Sequence, residues 1–137
     1  MGNITTVKVR YKETDQMGVV YYGNYFTWFE VGRNEFFRKL KSSYEELEVE
    51  NILLPVIKTG CEYLVPAKFD DEICIDTQLV KLKGVRIELR YKIYREKDNT
   101  LLAKGFTEHV FVDKNLKPIN FRKKHKDIWN ELQGMIE

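Results

Sequence analysis

The 137-residue sequence lacks the features that mark membrane, disulfide-rich and metal-binding proteins. No apolar run approaches the ~20 residues that a bilayer-spanning helix needs, and the opening segment has no apolar signal region. The two cysteines, Cys61 and Cys74, have no C-x-x-C spacing, so reduced structural thiols are expected. The two histidines, His109 and His125, are not at metal-ligand spacing from another histidine or cysteine. We therefore expect a cytoplasmic protein with no metal site and no membrane insertion.

The charges are nearly balanced, with 23 basic and 21 acidic side chains and a formal net charge of +2. This balance does not indicate a dedicated polyanion-binding protein. The densest basic run, residues 122–126, is interpreted as a solvated helix face, and no nucleic-acid interface is expected because stacking aromatic residues are not interleaved with the cations. Hydrophobic residues make up 43% of the chain, enough for one core. We predict a single domain over residues 1–137.

The start of the chain has the two-residue period of a strand. Val7, Val9 and Tyr11 alternate with polar neighbours, which predicts a half-buried strand over residues 5–12. A polar turn and a short apolar run follow.

A long helix is predicted from Asn24 onwards, because the hydrophobic period changes there to three and four residues. Gly23 and Asn24 are expected to form the helix entry, asparagine being a favoured N-cap, and Gly32, inside the helix, is expected to permit close packing. The apolar face comprises Tyr25, Phe26, Phe29, Phe36, Phe37 and Leu40.

Four β-rich runs separated by turn signals occupy the middle of the chain, at residues 52–65, 72–82, 85–95 and 100–112. Short turns between consecutive strands predict an antiparallel meander. Ser42 or Ser43 is expected to cap a short helix through Glu48, and Asn120 a last helix carrying Ile128, Trp129, Leu132 and Ile136. The order predicts an α+β domain with a five-stranded antiparallel sheet, one long covering helix and a C-terminal helix. Such a sheet has open edges, so the domain is expected to pair with itself.

One carboxylate is placed where it could take part in chemistry. Asp15 lies in a turn upstream of Gly18 and of the start of the long helix. Free N–H groups at a helix start can stabilise a developing oxyanion, so a carboxylate facing them across a carbonyl is a reasonable hydrolytic pair. An aspartate before a glycine is also an ordinary turn or capping residue. Both interpretations stay open on the pattern alone.

Residues 10–22, RYKETDQMGVVYY, followed by Asn24-Tyr25 and by residues 29–33, FEVGR, resemble the signature of the 4-hydroxybenzoyl-CoA thioesterase family. More narrowly, they resemble the acyl-CoA thioesterase branch associated with the bacterial Tol-Pal system. The key pattern is D-x-x-G-V-V-Y. The resemblance implies the hotdog fold, in which a sheet wraps around one long helix, and acyl-CoA hydrolysis without a cofactor beyond the coenzyme A of the substrate.

The resemblance also implies roles for particular residues. Asp15 matches the active-site aspartate, which acts as a nucleophile or as a general base for water. Tyr22 matches the position whose backbone N–H polarises the thioester carbonyl, and Gly18 would allow the tight turn between them. Some relatives have histidine at the position of Tyr22, so the mechanism here depends more heavily on Asp15. The family forms homodimers and homotetramers with active sites at the subunit interface.

Further site residues are weaker candidates. Glu30 is either a second carboxylate of the site or the partner of Arg33 in an intrahelical ion pair. Tyr25, Phe26 and Phe29 either line an acyl pocket or form ordinary core. Lys81, Lys83 and Arg86, around the Gly84 turn, match the family's habit of receiving the nucleotide end of coenzyme A on surface cations. The basic run at residues 122–126 is a second candidate for contact with those phosphates.

Two other functions stay open. One is a non-catalytic module that binds acyl-CoA or acyl-carrier protein. The other is a hotdog hydratase or dehydratase, against which the lack of a histidine near Asp15 argues.

Overall fold

The structure is a computed structural model that describes residues 2–40 and 52–136. The elements in chain order are β1 (Asn3–Lys8), a 3-10 turn (Tyr11–Glu13), α1 (Asn24–Arg38), β2 (Val56–Tyr63), β3 (Glu72–Lys83), β4 (Arg86–Arg95), β5 (Thr100–Val110), α2 (Phe121–Lys124) and α3 (Lys126–Met135). The predicted α+β class, the five antiparallel strands and the long helix are confirmed. The predicted helix through Glu48 lies outside the described residues. No helix in the described ranges is long and apolar enough to cross a membrane.

The strands are ordered β1-β3-β4-β5-β2 in one sheet. Only β3, β4 and β5 form the predicted meander, because β2 pairs with β5 and not with β3. Residues 64–71 carry the chain from one edge of the sheet towards the other. Leu64 donates a backbone hydrogen bond to Leu102 of β5, whereas Asp70 donates to Val9 beyond β1. The predicted short turn between β2 and β3 was wrong. The eight residues 64–71 form a longer connection that passes the end of the sheet, so β2 and β3 need not be neighbours.

The first strand is shorter at its C-terminal end than predicted. The alternation of buried and exposed positions holds through Val9, but β1 ends at Lys8 and Tyr11 is exposed in the 3-10 turn. The backbone N–H of Arg10 donates to the carboxylate of Glu13 at 2.7 Å. This local bond turns the chain away from the sheet and towards the loop that carries Asp15.

Helix α1 covers the inner face of the sheet, with Phe29 and Phe36 fully buried. Gly32 lies directly over β3, where a Cβ atom would be 2.7 Å from Cγ2 of Ile75. The predicted close packing at this glycine is therefore found, and its partner is the sheet. A long helix on a single wrapped sheet is the hotdog arrangement.

The starts of the long helix and of the C-terminal helix are capped differently. Gly23 is the N-cap of α1, with no side-chain cap, and Asn24 is the first helical residue. The predicted helix entry at Gly23 and Asn24 is therefore confirmed, but Asn24 does not occupy the capping position itself. Its side chain instead donates to the carbonyl of Glu13. Asn120 does act as a cap, accepting from the N–H of Lys123 at 3.1 Å. The C-terminal helix is divided at His125 into α2 and α3.

Candidate active site

The loop of Asp15 is a closed hairpin turn. The Asp15 N–H donates to the Val19 carbonyl at 2.8 Å, and the Gly18 N–H donates to the Asp15 carbonyl at 3.0 Å. Thr14 and Val20 pair on either side of the turn. Gly18 has φ of +80°, the left-handed conformation that suits glycine at the end of such a turn. The sequence Asp-Gln-Met-Gly thus fixes the direction in which the Asp15 side chain leaves the loop.

The carboxylate of Asp15 has two roles in this geometry. Its Oδ1 accepts the N–H of Met17 at 2.8 Å, a local bond typical of aspartate in turns. The same side chain lines a cavity, so the turn role leaves it accessible to a ligand. No second protein hydrogen bond to this carboxylate is found among the described residues.

The cavity has a volume of about 300 Å³ and is bounded by the Asp15 loop, the approach to α1 and the end of β2. Its walls are mainly apolar and aromatic, which is common for small-molecule sites with a few polar groups. The lining residues are Asp15, Met17, Val19, Val20, Tyr22, Tyr25, Tyr63, Leu64, Val65 and Pro66.

Tyr22 lies between the acid loop and α1, which begins two residues later. Its carbonyl accepts the hydroxyl of Tyr63 at 3.1 Å. Within residues 2–40 and 52–136, no protein acceptor takes the N–H of Tyr22. This N–H is therefore a donor that a bound carbonyl could use, next to the positive end of a helix.

Tyr63 is the centre of an aromatic group at the cavity. Its ring contacts those of Tyr22 and Tyr25 edge to face, with centroids 6.2 and 5.0 Å apart. Burial is the largest cause that raises the pKa of Tyr63, to about 12, followed by the neighbouring Cys61. The Tyr63 hydroxyl therefore stays protonated at neutral pH and keeps its hydrogen bond to the Tyr22 carbonyl.

The structure separates the three predicted pocket aromatics. Tyr25 lines the cavity, and its hydroxyl accepts the N–H of Ala67 at 3.2 Å. Phe29 is fully buried and stacked on Tyr91 at 4.5 Å, while Phe26 is partly exposed against Phe29. In the single chain, Phe26 and Phe29 do not line the cavity.

The predicted charged residues lie away from the cavity in the single chain. Glu30 is exposed on α1, does not line the cavity and has no ion pair with Arg33 among the described residues. Lys83 and Arg86 face each other at the β3–β4 turn, next to Val110 of β5. Tyr63 pairs with Ala103, seven residues away along β5, or roughly 23 Å at about 3.3 Å per residue.

A second polar group lies under α1, away from the cavity. Arg33 donates to the hydroxyl of Tyr91 at 3.4 Å, which lies 2.6 Å from the Thr107 hydroxyl. His109 is 2.7 Å from Thr107 through Nε2 and 2.9 Å from the carbonyl of Leu54 through Nδ1. We call this set of residues the buried network. The predicted structural role of His109 is found here, and burial lowers its pKa to about 4.

Sequence reasoning missed Tyr63, which lies on β2, and misassigned Asn24. The pairing of β2 with β5 brings Tyr63 to Tyr22, 41 residues earlier in the chain. The available signal was the run Tyr63-Leu64-Val65-Pro66, an aromatic and apolar strand end that stops at a proline. Among the described residues, no group of three His, Cys, Asp or Glu side chains is arranged to hold a metal ion.

Comparison with known proteins gives a consistent result. The profile of the thioesterase superfamily (4HBT) matches residues 17–102. The putative acyl-CoA thioesterase YneP of Bacillus subtilis is 36% identical over 122 residues, covering 88% of this chain and 88% of that protein. The acyl-CoA thioesterase YbgC of Haemophilus influenzae is 35% identical over 130 residues, covering 93% of each. The crystal structure of DHNA-CoA thioesterase from Staphylococcus aureus matches with a TM-score of 0.88 and 34% identity, over 97% of this chain and 89% of that one.

Fold and matches together define a thioester hydrolase of the hotdog class. The chain belongs to the thioesterase superfamily. The resemblance drawn from the D-x-x-G-V-V-Y pattern is thereby confirmed, as is the prediction of an enzyme of this class.

Proposed function

We propose that this chain hydrolyses an acyl-CoA to a free carboxylic acid and CoA-SH, with Asp15 as general base or nucleophile and the Tyr22 N–H polarising the carbonyl. The observation that carries the proposal is that Asp15 and Tyr22 line one cavity. The protein would act as a single cytoplasmic domain over residues 1–137 and need no cofactor beyond the coenzyme A of its substrate. The names of the relatives, which include two acyl-CoA thioesterases, support this substrate class.

The two roles of Asp15 give two balanced routes. As a base, Asp15 takes a proton from water while the water oxygen attacks the carbonyl carbon. The resulting oxyanion is stabilised by the Tyr22 N–H, and collapse breaks the C–S bond so that the thiolate leaves and is protonated. As a nucleophile, the Asp15 carboxylate attacks the same carbon and expels the thiolate, and water then hydrolyses the mixed anhydride.

The proposed active assembly is a homodimer or a homotetramer. Strand β2 lies at the edge of the sheet, and at its N-terminal end Val56 and Ile57 are 47% and 46% exposed, an apolar patch that a second copy could cover. Antiparallel pairing of two β2 edges would bring opposite ends of the two sheets together. Lys83 and Arg86, distant from the cavity of their own chain, would then approach the cavity of the other copy and could receive its nucleotide phosphates.

The alternative functions make different predictions. A binding module without catalysis would show affinity for acyl-CoA and no turnover, and Asp15→Asn would change no rate. A hydratase or dehydratase would need a histidine beside the acid, but no histidine lines the cavity in the described residues. The hydrolytic assignment fits the lining residues better.

The test is release of free thiol from a panel of short, long and aromatic acyl-CoAs. We expect Asp15→Asn to lower kcat at least ~100-fold, the lower range for loss of an acid-base group. Asp127→Asn, an exposed aspartate in the first turn of α3, is the matched control and should stay within about twofold. Thermal unfolding of each variant shows whether it folds. An Asp15→Asn rate within about threefold of wild type, ~0.7 kcal/mol, would contradict the assignment.

A further inference from the structure

The segment that carries the Tyr22 N–H is held on one side by strand β2. The hydroxyl of Tyr63 donates to the Tyr22 carbonyl at 3.1 Å, and a second bond to this carbonyl comes from the N–H of Tyr25 at 3.3 Å. The edge-to-face contacts of the Tyr63 ring with Tyr22 and Tyr25 fix the direction of its hydroxyl. Tyr63 is the last residue of β2, so the sheet itself anchors this contact.

The same segment is held on its other side by the acid loop. Asn24 Nδ2 donates to the Glu13 carbonyl at 2.8 Å, and the N–H of Tyr21 donates to that oxygen at 2.8 Å. The orientation of the Asn24 amide is fixed by chemistry, because a carbonyl only accepts. Glu13 is nearly fully buried, and its carboxylate accepts the N–H of Arg10 at 2.7 Å. Asn24 therefore links the first turn of α1 to a fixed point two residues before Asp15.

We propose that Asn24 and Tyr63 are positioning residues, which hold the Tyr22 N–H at a set distance and angle from the Asp15 carboxylate. The inference rests on the proposed function and goes beyond it by assigning the residues that align its two groups. Neither side chain needs to touch the reacting atoms. Asn24 fixes the helix start against the acid loop, and Tyr63 fixes the Tyr22 peptide against the sheet.

Alignment matters here because the Tyr22 N–H has no protein acceptor among the described residues to hold it. Its direction is set by the neighbouring peptides, which Asn24 and Tyr63 hold. An oxyanion donor must lie within about 2.7–3.1 Å of the charge that develops. A shift of about 1 Å in a reacting group can cost on the order of 100-fold in rate.

If the two hydrogen bonds only stabilised the fold, their loss would lower the melting temperature, and kcat would fall only as far as the protein unfolds. The positioning role predicts a different result. The Tyr63 bond is exposed and the Asn24 bond is only partly buried, and water can replace such donors when they are removed. The loss of either bond should therefore change the melting temperature little. It should change kcat, because water does not restore the angle of the Tyr22 peptide.

The experiment compares Tyr63→Phe and Asn24→Ala with two matched controls. Tyr63→Phe removes one hydroxyl and keeps the ring, and Tyr94→Phe does the same on the outer face of the sheet, away from the cavity. Asn24→Ala is matched by Thr27→Ala, an exposed position in the next turn of α1. For the best acyl-CoA substrate, we expect each test variant to lower kcat about tenfold, with KM and melting temperature close to wild type. The controls should match wild type in all three.

The double variant gives a further readout. If both residues align one peptide, the second substitution acts on a segment already released, so the combined loss of kcat should be smaller than the product of the single losses. Wild-type kcat in both test variants, or losses of kcat that follow a fall in melting temperature, would overturn the inference and leave the thioesterase assignment standing. Absence of thiol release from every acyl-CoA by the wild type would overturn the proposed function, and the inference with it.

Discussion

The two polar groups of this domain, one beside the cavity and one under α1, differ in how fully their hydrogen bonds are satisfied. In the buried network, Tyr91, Thr107 and His109 are buried and hydrogen-bonded to one another or to Leu54. At the cavity, the Tyr22 N–H has no acceptor among the described residues and Asp15 is partly exposed. The hydroxyl and imidazole groups of the buried network are thus used by one another, whereas at the cavity a backbone N–H and a carboxylate have hydrogen-bonding capacity left.

In the buried network, the donor and the acceptor of each hydrogen bond can be assigned, because one end of the series only accepts and the other only donates. The Leu54 carbonyl only accepts, so Nδ1 of His109 carries the proton. Neutral His109 then accepts the Thr107 hydroxyl at Nε2, and Thr107 accepts from Tyr91. Arg33 only donates, and it completes the series at the Tyr91 oxygen. Each hydrogen bond of the network thus has one donor and one acceptor. The network links α1, β4, β5 and the segment before β2.

The largest effect on stability is expected from His109→Leu. This change leaves the Thr107 hydroxyl and the Leu54 carbonyl without their bond to His109, at about 1–3 kcal/mol for the buried hydroxyl and less for the part-buried carbonyl, which water can reach. We expect a loss of about 2–3 kcal/mol in the free energy of unfolding, measured by urea denaturation. The kcat of the folded variant should stay near wild type, because His109 does not line the cavity.

The control for this prediction is His109→Gln, which keeps one donor and one acceptor on a side chain of similar reach. It should lose clearly less stability than His109→Leu. Equal losses would show that packing, and not hydrogen bonding, is what His109 contributes. A large fall in kcat at unchanged stability would show that the buried network also contributes to catalysis, and would contradict the purely structural role assigned to it.

Acidification should weaken the buried network next. Burial lowers the pKa of His109 to about 4 in the folded chain, from an ordinary value near 6.5 when unfolded. Between these values the unfolded chain binds more protons, so stability falls as the pH falls from 6.5 towards 4. We expect a loss on the order of 1–2 kcal/mol between pH 6.5 and 5, measured by urea denaturation at each pH. The difference between wild type and His109→Gln should shrink over this range, and a constant difference would contradict the assigned proton.

The sequence predicted those elements whose signals lie in neighbouring residues. The alternation in β3 and β4 and the aromatic face of α1 predicted the bounds of these elements to within a residue or two. The Asp-Gln-Met-Gly turn was predicted because the residues that form it, with Gly18 at positive φ, are adjacent in the sequence. The place of β2 was missed because edge pairing depends on contacts between distant residues. The same limit hid Tyr63, whose partner lies in another element.

Asn24 shows a subtler failure of the same kind. Its residue type and its place before a helix favoured a cap, and only the course of the acid loop shows that its amide is used by Glu13 instead. The network around His109 could not be predicted for the same reason. A histidine on a strand has no sequence signal for a partner such as Leu54, 55 residues away.

Gly18 allows the cavity side of the comparison to be tested. It has φ of +80°, and a Cβ atom there would meet nothing within 4 Å, so the cost of a side chain is conformational only. We expect Gly18→Val to cost about 1–2 kcal/mol of stability and to lower kcat, because the turn directs Asp15. Gly18→Asn should cost less on both measures, since asparagine tolerates this conformation better.

The matched control for Gly18 is Gly84, which has φ of +61° and equally open surroundings at the far end of the sheet. Gly84→Val should cost similar stability in urea denaturation and leave kcat unchanged, measured for both variants on an acyl-N-acetylcysteamine, which has no nucleotide for Lys83 and Arg86 to bind. If Gly84→Val lowered kcat as much as Gly18→Val, backbone strain anywhere in the fold would explain the loss. The claim that Gly18 affects kcat by directing the Asp15 side chain would then be wrong.

The smallest effect on stability is expected at the far end of the sheet. Arg86 forms an ion pair with Glu108 at 3.0 Å, but its side chain is 61% exposed, so Arg86→Ala should cost less than about 1 kcal/mol. If Arg86 and Lys83 receive the nucleotide phosphates of a substrate bound to a second copy, the double alanine variant should raise KM severalfold for acyl-CoA. It should leave KM unchanged for the same acyl group on N-acetylcysteamine, which has no nucleotide. An equal KM change for both substrates, or none for either, would remove these two cations from the substrate site.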